Sequence, residues 1–364
     1  VATEVIKTIR AVGGDYSTLE GWNDGEARNL LEEEVIAVGE MYHDWPNGFD
    51  GVLHTTNAWG SNETYYPILR PAPGHKHNGR YFVSGTSGAL TGAGIRSTGA
   101  GAIQVHYSYM RIVDMIVICD TPSQNSLLLI SIGSKAIGCL CKNSPDGFTG
   151  SAISVSNISG RAINCVAWNS FYGITLTGGG SGTGNEAVAF NCTAVGCKGV
   201  GIGNGNTGQK LINCLAHGTT DGPDIVPGLE GEVFFCATSD DSDLPPGQGN
   251  RTEQEFNFVD PANLNFRLAE DDTGARGYGQ DLSANSYLPF DVDIMGNPRG
   301  VAWDIGAFQY HDEPDVIENL VVDDATPSVT AHTDVGDVHF VTVEYEAEID
   351  RVDLENLIEH GIPE

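Results

Sequence analysis

The chain has 364 residues, with 47 Gly and a formal charge of 18 − 49 = −31, six of its basic residues being Lys and twelve Arg. Repulsion of that size excludes nucleic acid and anionic membrane as partners, and so much glycine speaks against a helical protein. No apolar run approaches the roughly 18 to 20 residues that cross a bilayer, since "MIVIC" and "LLLI" are strand-sized. The acidity suits a surface bathed in molar salt, where the Debye length is only about 3 Å; a halophilic source is the preferred reading, a merely acidic protein the other. The opening "VATEVIKTIRAVGG" lacks the basic head and apolar core of a secretory signal, so folding where the chain is made is expected.

Residues 1–50 read as an N-terminal cap. In "DYSTLEGWNDGEARNLLEEE", Ser17 followed by Glu20 is a capping-box pattern opening an amphipathic helix, with Leu19, Trp22, Leu30 and Leu31 placed to cover a core; "VIAVGEMY" then reads as the first strand. From Gly51 onward, "GRYFVSG", "AGIRSTG" and "GAIQVHYSYMRIVDMIVICD" are short alternating runs split by Gly, the texture of stacked coils. His75 and His77 in "GHKHNGR" could share a strand face, but two histidines make a weak zinc site and a polar turn is the better reading.

A phrase of the form apolar–x–Cys–x–small repeats through residues 51–260. Taking one cysteine per phrase gives Cys119, Cys139, Cys165, Cys192, Cys214 and Cys236, with gaps of 20, 26, 27, 22 and 22 residues. Two positions before each lie Val117, Ile137, Ile163, Phe190, Ile212 and Phe234; two after lie Thr121, Cys141, Ala167, Ala194, Ala216 and Thr238. Period two within a phrase means strand, and a period near 22 between phrases is one solenoid coil. The expected fold is therefore all-β: a right-handed parallel β-helix solenoid whose equivalent residues pile into columns about 4.8 Å apart. The six cysteines, with Ile137, Ile163 and Ile212, are the expected ladder, free Cys serving as a compact hydrophobe. A disulfide framework is the rival account of the spacing. Asn164, Asn191 and Asn213 precede three of the cysteines and would face outward or sit at turns; "TGGGSGTGN" lacks the Gly-Lys-Ser/Thr of a phosphate cradle and reads as a loop.

"TIRAVGGDYSTLEGWNDG", "YYPILRPAPGHKHNGR" and "GAGIRSTGAGAIQVHYSYMRIVDMIV" together resemble right-handed parallel β-helix, pectate-lyase-like virion proteins of tailed viruses of bacteria and archaea. "FNFVDPANLNFRLAEDDTGARGYGQD" and "DIMGNPRGVAWDIGAFQY" are similar to the closing segment of such proteins, spanning 261–311 here. The resemblance covers about residues 7 to 310. It implies a virion surface subunit, on capsid or tail, that attaches to a host; a polysaccharide depolymerase and a cell-surface adhesin are the alternatives, because the fold hosts all three. It also implies a homo-oligomer, commonly a trimer. In the closing segment, Asp293, Gly296, Asn297, Pro298 and Arg299 read as a turn whose Arg meets a carboxylate such as Asp304, while Phe308 and Tyr310 end the core.

A depolymerase needs two carboxylates across a groove, about 5 to 9.5 Å apart for hydrolysis. Asp114 with Asp120, Glu186, Asp221 with Asp224, and Asp291 with Asp293 are candidates, but none forms a recognisable set, so no catalytic, cofactor-binding or metal residue is assigned. "DDSDLPPGQGN" around Asp240, Asp241 and Asp243 could hold a structural calcium, though a solvated turn fits its spacing better. Tyr107, Tyr109, Trp168 and Tyr172 are candidate contacts to host-surface glycan, with Phe171 beside them; packing is the competing role. Beyond the Pro314 linker, 312–364 promises a half-buried strand (Val341, Val343, Tyr345) and a short helix (Leu357, Ile358). That is too little for a core of its own, so this tail is expected to attach to another copy or to other virion proteins.

Overall fold

The computed structural model describes residues 2–311 except 57, 84–87, 147–149, 179–185, 205–208, 229–231 and 286–289, and also the backbone of 321–323 and 328–330. Residues 1–310 and 311–364 form two separate units. The first is a parallel β-helix. Its strands stack into three sheets of nine, seven and seven members, every adjacent pair within them parallel.

The register explains why these residues stack. The inward column of the first sheet runs Leu69, Ile112, Ala136, Ala162, Ala189, Leu211, Val233. That of the second runs Ile95, Val117, Cys141, Ala167, Ala194, Ala216, Thr238. The third contributes large aliphatics: Leu53, Ile103, Leu127, Ile153, Ile174, Ile202, Ile225. In the middle coils small residues of the first two sheets, Ala136, Ala162 and Ala189 with Cys141, Ala167 and Ala194, thus face large aliphatics of the third, so that the tube is filled by side chains.

The cysteines mark a corner. Cys139, Cys165, Cys192, Cys214 and Cys236 stand at one coil position between the first and second sheets, continuing from Met115, and all are buried. Every cysteine in the chain is a free thiol. Within this column the sulfurs donate to carbonyls of the coil before, Cys165 to Ala136 (3.5 Å) and Cys192 to Ala162 (3.4 Å). Burial pushes the Cys141 thiol far up, and the Cys197 thiol to about 12, so neither ionises at neutral pH.

Two expectations about the ladder need correction. Cys119 is not in it: it pairs with Ser97 and Asn143 at the far end of the second sheet, and Val117 is the residue in register with Cys141. Ile137, Ile163 and Ile212 point out of the tube, whereas the cysteines two positions later point in. The cause is the residue between them. Asp114, Gly138, Asn164, Asn191, Asn213 and Phe235 all take left-handed backbone, φ between 47 and 64°, and such a residue bends the chain and breaks strand alternation. Asn accepts that conformation more readily than most side chains.

The N-terminal end is closed by two short helices, α1 (Leu19–Glu26) and α2 (Leu30–Glu33). Thr18, not Ser17, caps α1, its hydroxyl accepting from the Gly21 amide at 3.0 Å, and Asn29 caps α2. Trp22 is fully buried, and a Cβ on Gly39 would lie 2.7 Å from its ring, so only glycine fits there. Leu19 and Leu30 are buried with it, whereas Leu31 is 42% exposed, facing solvent instead of the core. A strand at Thr3–Ile9 precedes the cap and pairs with Val35–Met41, which is therefore the second strand of its sheet.

The other end is closed by the segment after the last coil, with Leu244 entering the core and Arg251 bridging to Ala237. The segment expected to close the tube does something else. Residues 256–310 form an arm that runs back along the outside: Phe266, Ile294, Ala307 and Phe308 cover Ile116, Leu140, Val166 and Val195, while Leu282 and Trp303 cover Ile163, Val188, Phe190 and Ile212. Ile163 and Ile212 are thus buried beneath the arm, and Ile137 partly so. Asn164 and Asn213 hold it at the corner, Asn164 donating to the Val292 carbonyl (2.9 Å) and Asn213 to that of Gln280 (2.7 Å). Arg299 does not pair with the Asp304 carboxylate. Its guanidinium donates to the carbonyls of Asp304, Gly306 and Ala307 and to Asn164 Oδ1, while the Asp304 carboxylate accepts from the amides of Gly277 and Tyr310.

In the second unit, Val321–Asp323 and Ser328–Thr330 pair antiparallel. The expected attachment residues Val341, Val343, Tyr345, Leu357 and Ile358 lie outside the described residues.

Candidate functional site

Three residues at one outward position of the second sheet, Trp168, Val195 and His217, stack on successive coils. They face out because Ala167, Ala194 and Ala216, one residue earlier, face in. The arm supplies the opposite wall through the antiparallel pair Phe258–Asp260 and Asn265–Leu268. Between the walls lies a cleft of about 500 Å³, whose lining includes Trp168, Val195, His217, Phe256, Phe258 and Phe266 together with Pro261 and Asp271.

The rings support one another. Phe258 lies 5.8 Å from Phe266 and 6.4 Å from Phe256, and the His217 ring meets both Phe256 (5.7 Å) and Phe258 (5.6 Å) edge-on. Trp168 is braced from behind by Tyr81, centroids 5.5 Å apart. Tyr81 is fully buried, and its hydroxyl approaches the carbonyls of Cys141 (2.8 Å) and Val166 (2.9 Å), which pins its loop to the sheet. Lys142 sits 5.8 Å from the Trp168 ring centre and is held by Asp120 at 3.3 Å. Burial holds His217 below the usual histidine range, so it is neutral at pH 7. Trp168 and Phe258 remain partly open to solvent. Rigid aromatic rings that stay partly open beside a cleft can pack against the apolar face of a ligand.

Of the four predicted contacts only Trp168 lies in this cleft. Tyr107 and Tyr109 sit at the corner leading into the first sheet, Tyr107 donating to the Thr56 carbonyl (2.8 Å). Tyr172 opens a strand of the third sheet and meets Phe171 edge-on at 4.7 Å. Sequence reasoning missed His217, Phe256, Phe258 and Phe266. The clustering of aromatics in "FNFVDPANLNF" was the available signal, but nothing local says that this segment folds back onto Trp168.

Most of the carboxylate candidates serve the fold, whereas Asp221 and Asp291 are exposed. Asp114 pairs with Lys76 (3.1 Å) before the strand Ile116–Cys119, and Asp120 pairs with Arg96 (2.7 Å) after it, so the two stand at opposite ends of a strand with different partners. Asp224 is fully buried and accepts from the Thr219 amide and from the Ser239 amide and hydroxyl, while Asp240 accepts from the amides of Asp224 and Ser242. Asp293 accepts from the amides of Met295, Asn297 and Gln309, closing the turn that Arg299 anchors. Glu186 meets Lys210 at 3.6 Å. His77 is buried, bonded to the Gly138 carbonyl at 2.7 Å, and burial pushes it down to about 4, whereas His75 accepts from the His43 amide; the two do not converge. Among the described residues no three His, Cys, Asp or Glu side chains come together as metal ligands. The cleft's own titratable groups are His217 and Asp271.

No family model matches the chain, and no curated protein matches it. Among solved structures it is similar to pectate lyase Pel9A, at 12% identity over 85% of this chain and 97% of that one, with a TM-score of 0.43.

Proposed function

We propose that this protein is a surface-displayed β-helix subunit that holds carbohydrate without cutting it, in keeping with the sequence resemblance to virion attachment proteins of tailed viruses. The observation that carries the reading is the aromatic cleft under Trp168 in a molecule where Asp114, Asp120, Glu186, Asp224 and Asp293 are already engaged by backbone amides, hydroxyls or cations. A rigid tube gives the cleft a fixed shape, which lowers the ordering cost of binding. The charge of −31 suits display in a salt-rich medium and a host that lives in one.

The test is a panel of neutral, amino and acidic oligosaccharides presented to the full chain, followed by titration calorimetry on whichever binds. Trp168→Ala and Phe258→Ala, each with an unchanged far-UV spectrum, are expected to weaken binding about tenfold, ~1.4 kcal/mol. Binding that survives both substitutions places the glycan elsewhere, and an absence of binding across the panel removes the reading.

A further inference from the structure

The three faces of the tube differ in what covers them. The arm lies over the second and over the adjoining edge of the first. The first displays charge on its strands, with Arg70 pairing with Glu4 and Glu40, Lys135 with Glu63 and Lys210 with Glu232. The seven strands of the third contain no Asp, Glu, Lys or Arg. Hydroxyl side chains on and beside these strands bond to one another: Ser151 with Thr175 (3.0 Å), Ser154 with Ser156 (3.0 Å), Ser156 with Thr177 (2.8 Å). Where the chain turns from this face into the first, Ile130, Ile132 and Ile158 are 38%, 48% and 39% exposed. Ile132 and Ile158 are stacked neighbours, each three residues ahead of the paired Lys135 and Arg161. The strand-and-corner units 103–111, 127–135 and 153–161 hold no carboxylate, in a chain with 49.

We propose that this uncharged face with its isoleucine ridge is where a second copy of the same chain seats. Two bodies of charge −31 repel, and they can approach only where their surfaces lack carboxylates; this face meets that condition over several consecutive coils. Seven rungs about 4.8 Å apart and strands of up to about 16 Å give roughly 450 Å², and the corner extends this toward the ~800 Å² that each partner contributes to a standard interface. A different protein or a glycan could be drawn to an apolar ridge as well, but neither explains the removal of charge from the whole face. Because the obstacle to contact is long-range repulsion and the contact is uncharged, association tightens as salt rises, the reverse of an interface made of ion pairs.

Sedimentation velocity of the full chain in about 0.1 M and about 1 M NaCl provides the test. The wild type is expected to self-associate, more tightly at the higher salt. The double substitution Ile132→Glu/Ile158→Glu, at two half-exposed side chains, is expected to weaken association at least tenfold with an unchanged far-UV spectrum. Val301→Glu, at a fully exposed residue of the arm, is the control and leaves association intact. A wild type that stays monomeric at both salt concentrations up to ~100 µM overturns the proposal, as does an oligomer that survives the double substitution or loosens as salt is added.

Discussion

Replacing Arg299 with Ala is expected to destabilise the arm by about 3 kcal/mol or more, since each buried acceptor left without its donor costs about 1 to 3 kcal/mol. Arg299 is 5% exposed, and its guanidinium reaches Asn164 Oδ1 and the carbonyls of Val292, Asp304, Gly306 and Ala307. Removing it leaves those acceptors facing an empty, water-poor space. Burial lowers the Arg299 pKa to about 10, still well above neutral, so at physiological pH the charged form is the one removed. Arg299→Lys is expected to recover less than half of the loss, because a single ammonium cannot serve a planar fan of oxygens. The coils do not depend on the arm for their ladders, so the unfolding is local. Limited proteolysis should cut first between 256 and 310, dye binding should report the uncovered Val166, Phe190 and Ile212, and the cleft should vanish, since Phe258 and Phe266 belong to the arm. Global unfolding with no early arm cleavage contradicts this division.

The second large effect concerns the thiol column. Cys192 is fully buried, with Cys165 one rung below and Cys214 one rung above, and its sulfur lies 3.4 Å from the Ala162 carbonyl. The rungs are fixed by backbone ladders about 4.8 Å apart and cannot spread to admit a larger side chain. Cys192→Leu is therefore expected to cost about 3 kcal/mol through overpacking. Cys192→Ala, which only leaves a small void, should cost about 1 kcal/mol. Urea unfolding followed by far-UV circular dichroism gives both numbers. The order is the informative part: in an open or fluid core Leu would be tolerated at least as well as Ala, and that ranking would remove the stacked column from the account.

What the sequence made legible and what it hid follow from the same geometry. The coil period could be read because small inward residues repeat through the middle coils, Ala162 and Ala189 in the first sheet and Cys165 and Cys192 at the corner above all. The placement of Cys119 could not, since its strand, Ile116–Cys119, carries the chain past the corner to the next one and its cysteine falls on a different column. The facing of Ile137, Ile163 and Ile212 was misread for a local reason: one left-handed residue between each of them and its cysteine reverses the alternation, and an Asn in a sequence does not announce its φ. The cap at Thr18 instead of Ser17 is a one-residue choice between two adjacent hydroxyls. The cleft was half visible. Trp168 stood out among the coil residues, but its partners come from some 90 to 100 residues further on, brought there by an arm whose docking depends on Arg299 and the corner asparagines and leaves no periodic trace.

The central claim is that the molecule acts by grip and shape, and one measurement meets it head-on. A glycan that binds the cleft is incubated overnight with a stoichiometric amount of the full chain, while new reducing ends and new unsaturated sugar termini are quantified by mass spectrometry. The account predicts that the saccharide is recovered at its original length after prolonged contact. Shortened products that accumulate with the wild type and disappear with Trp168→Ala would show that the cleft cuts what it holds.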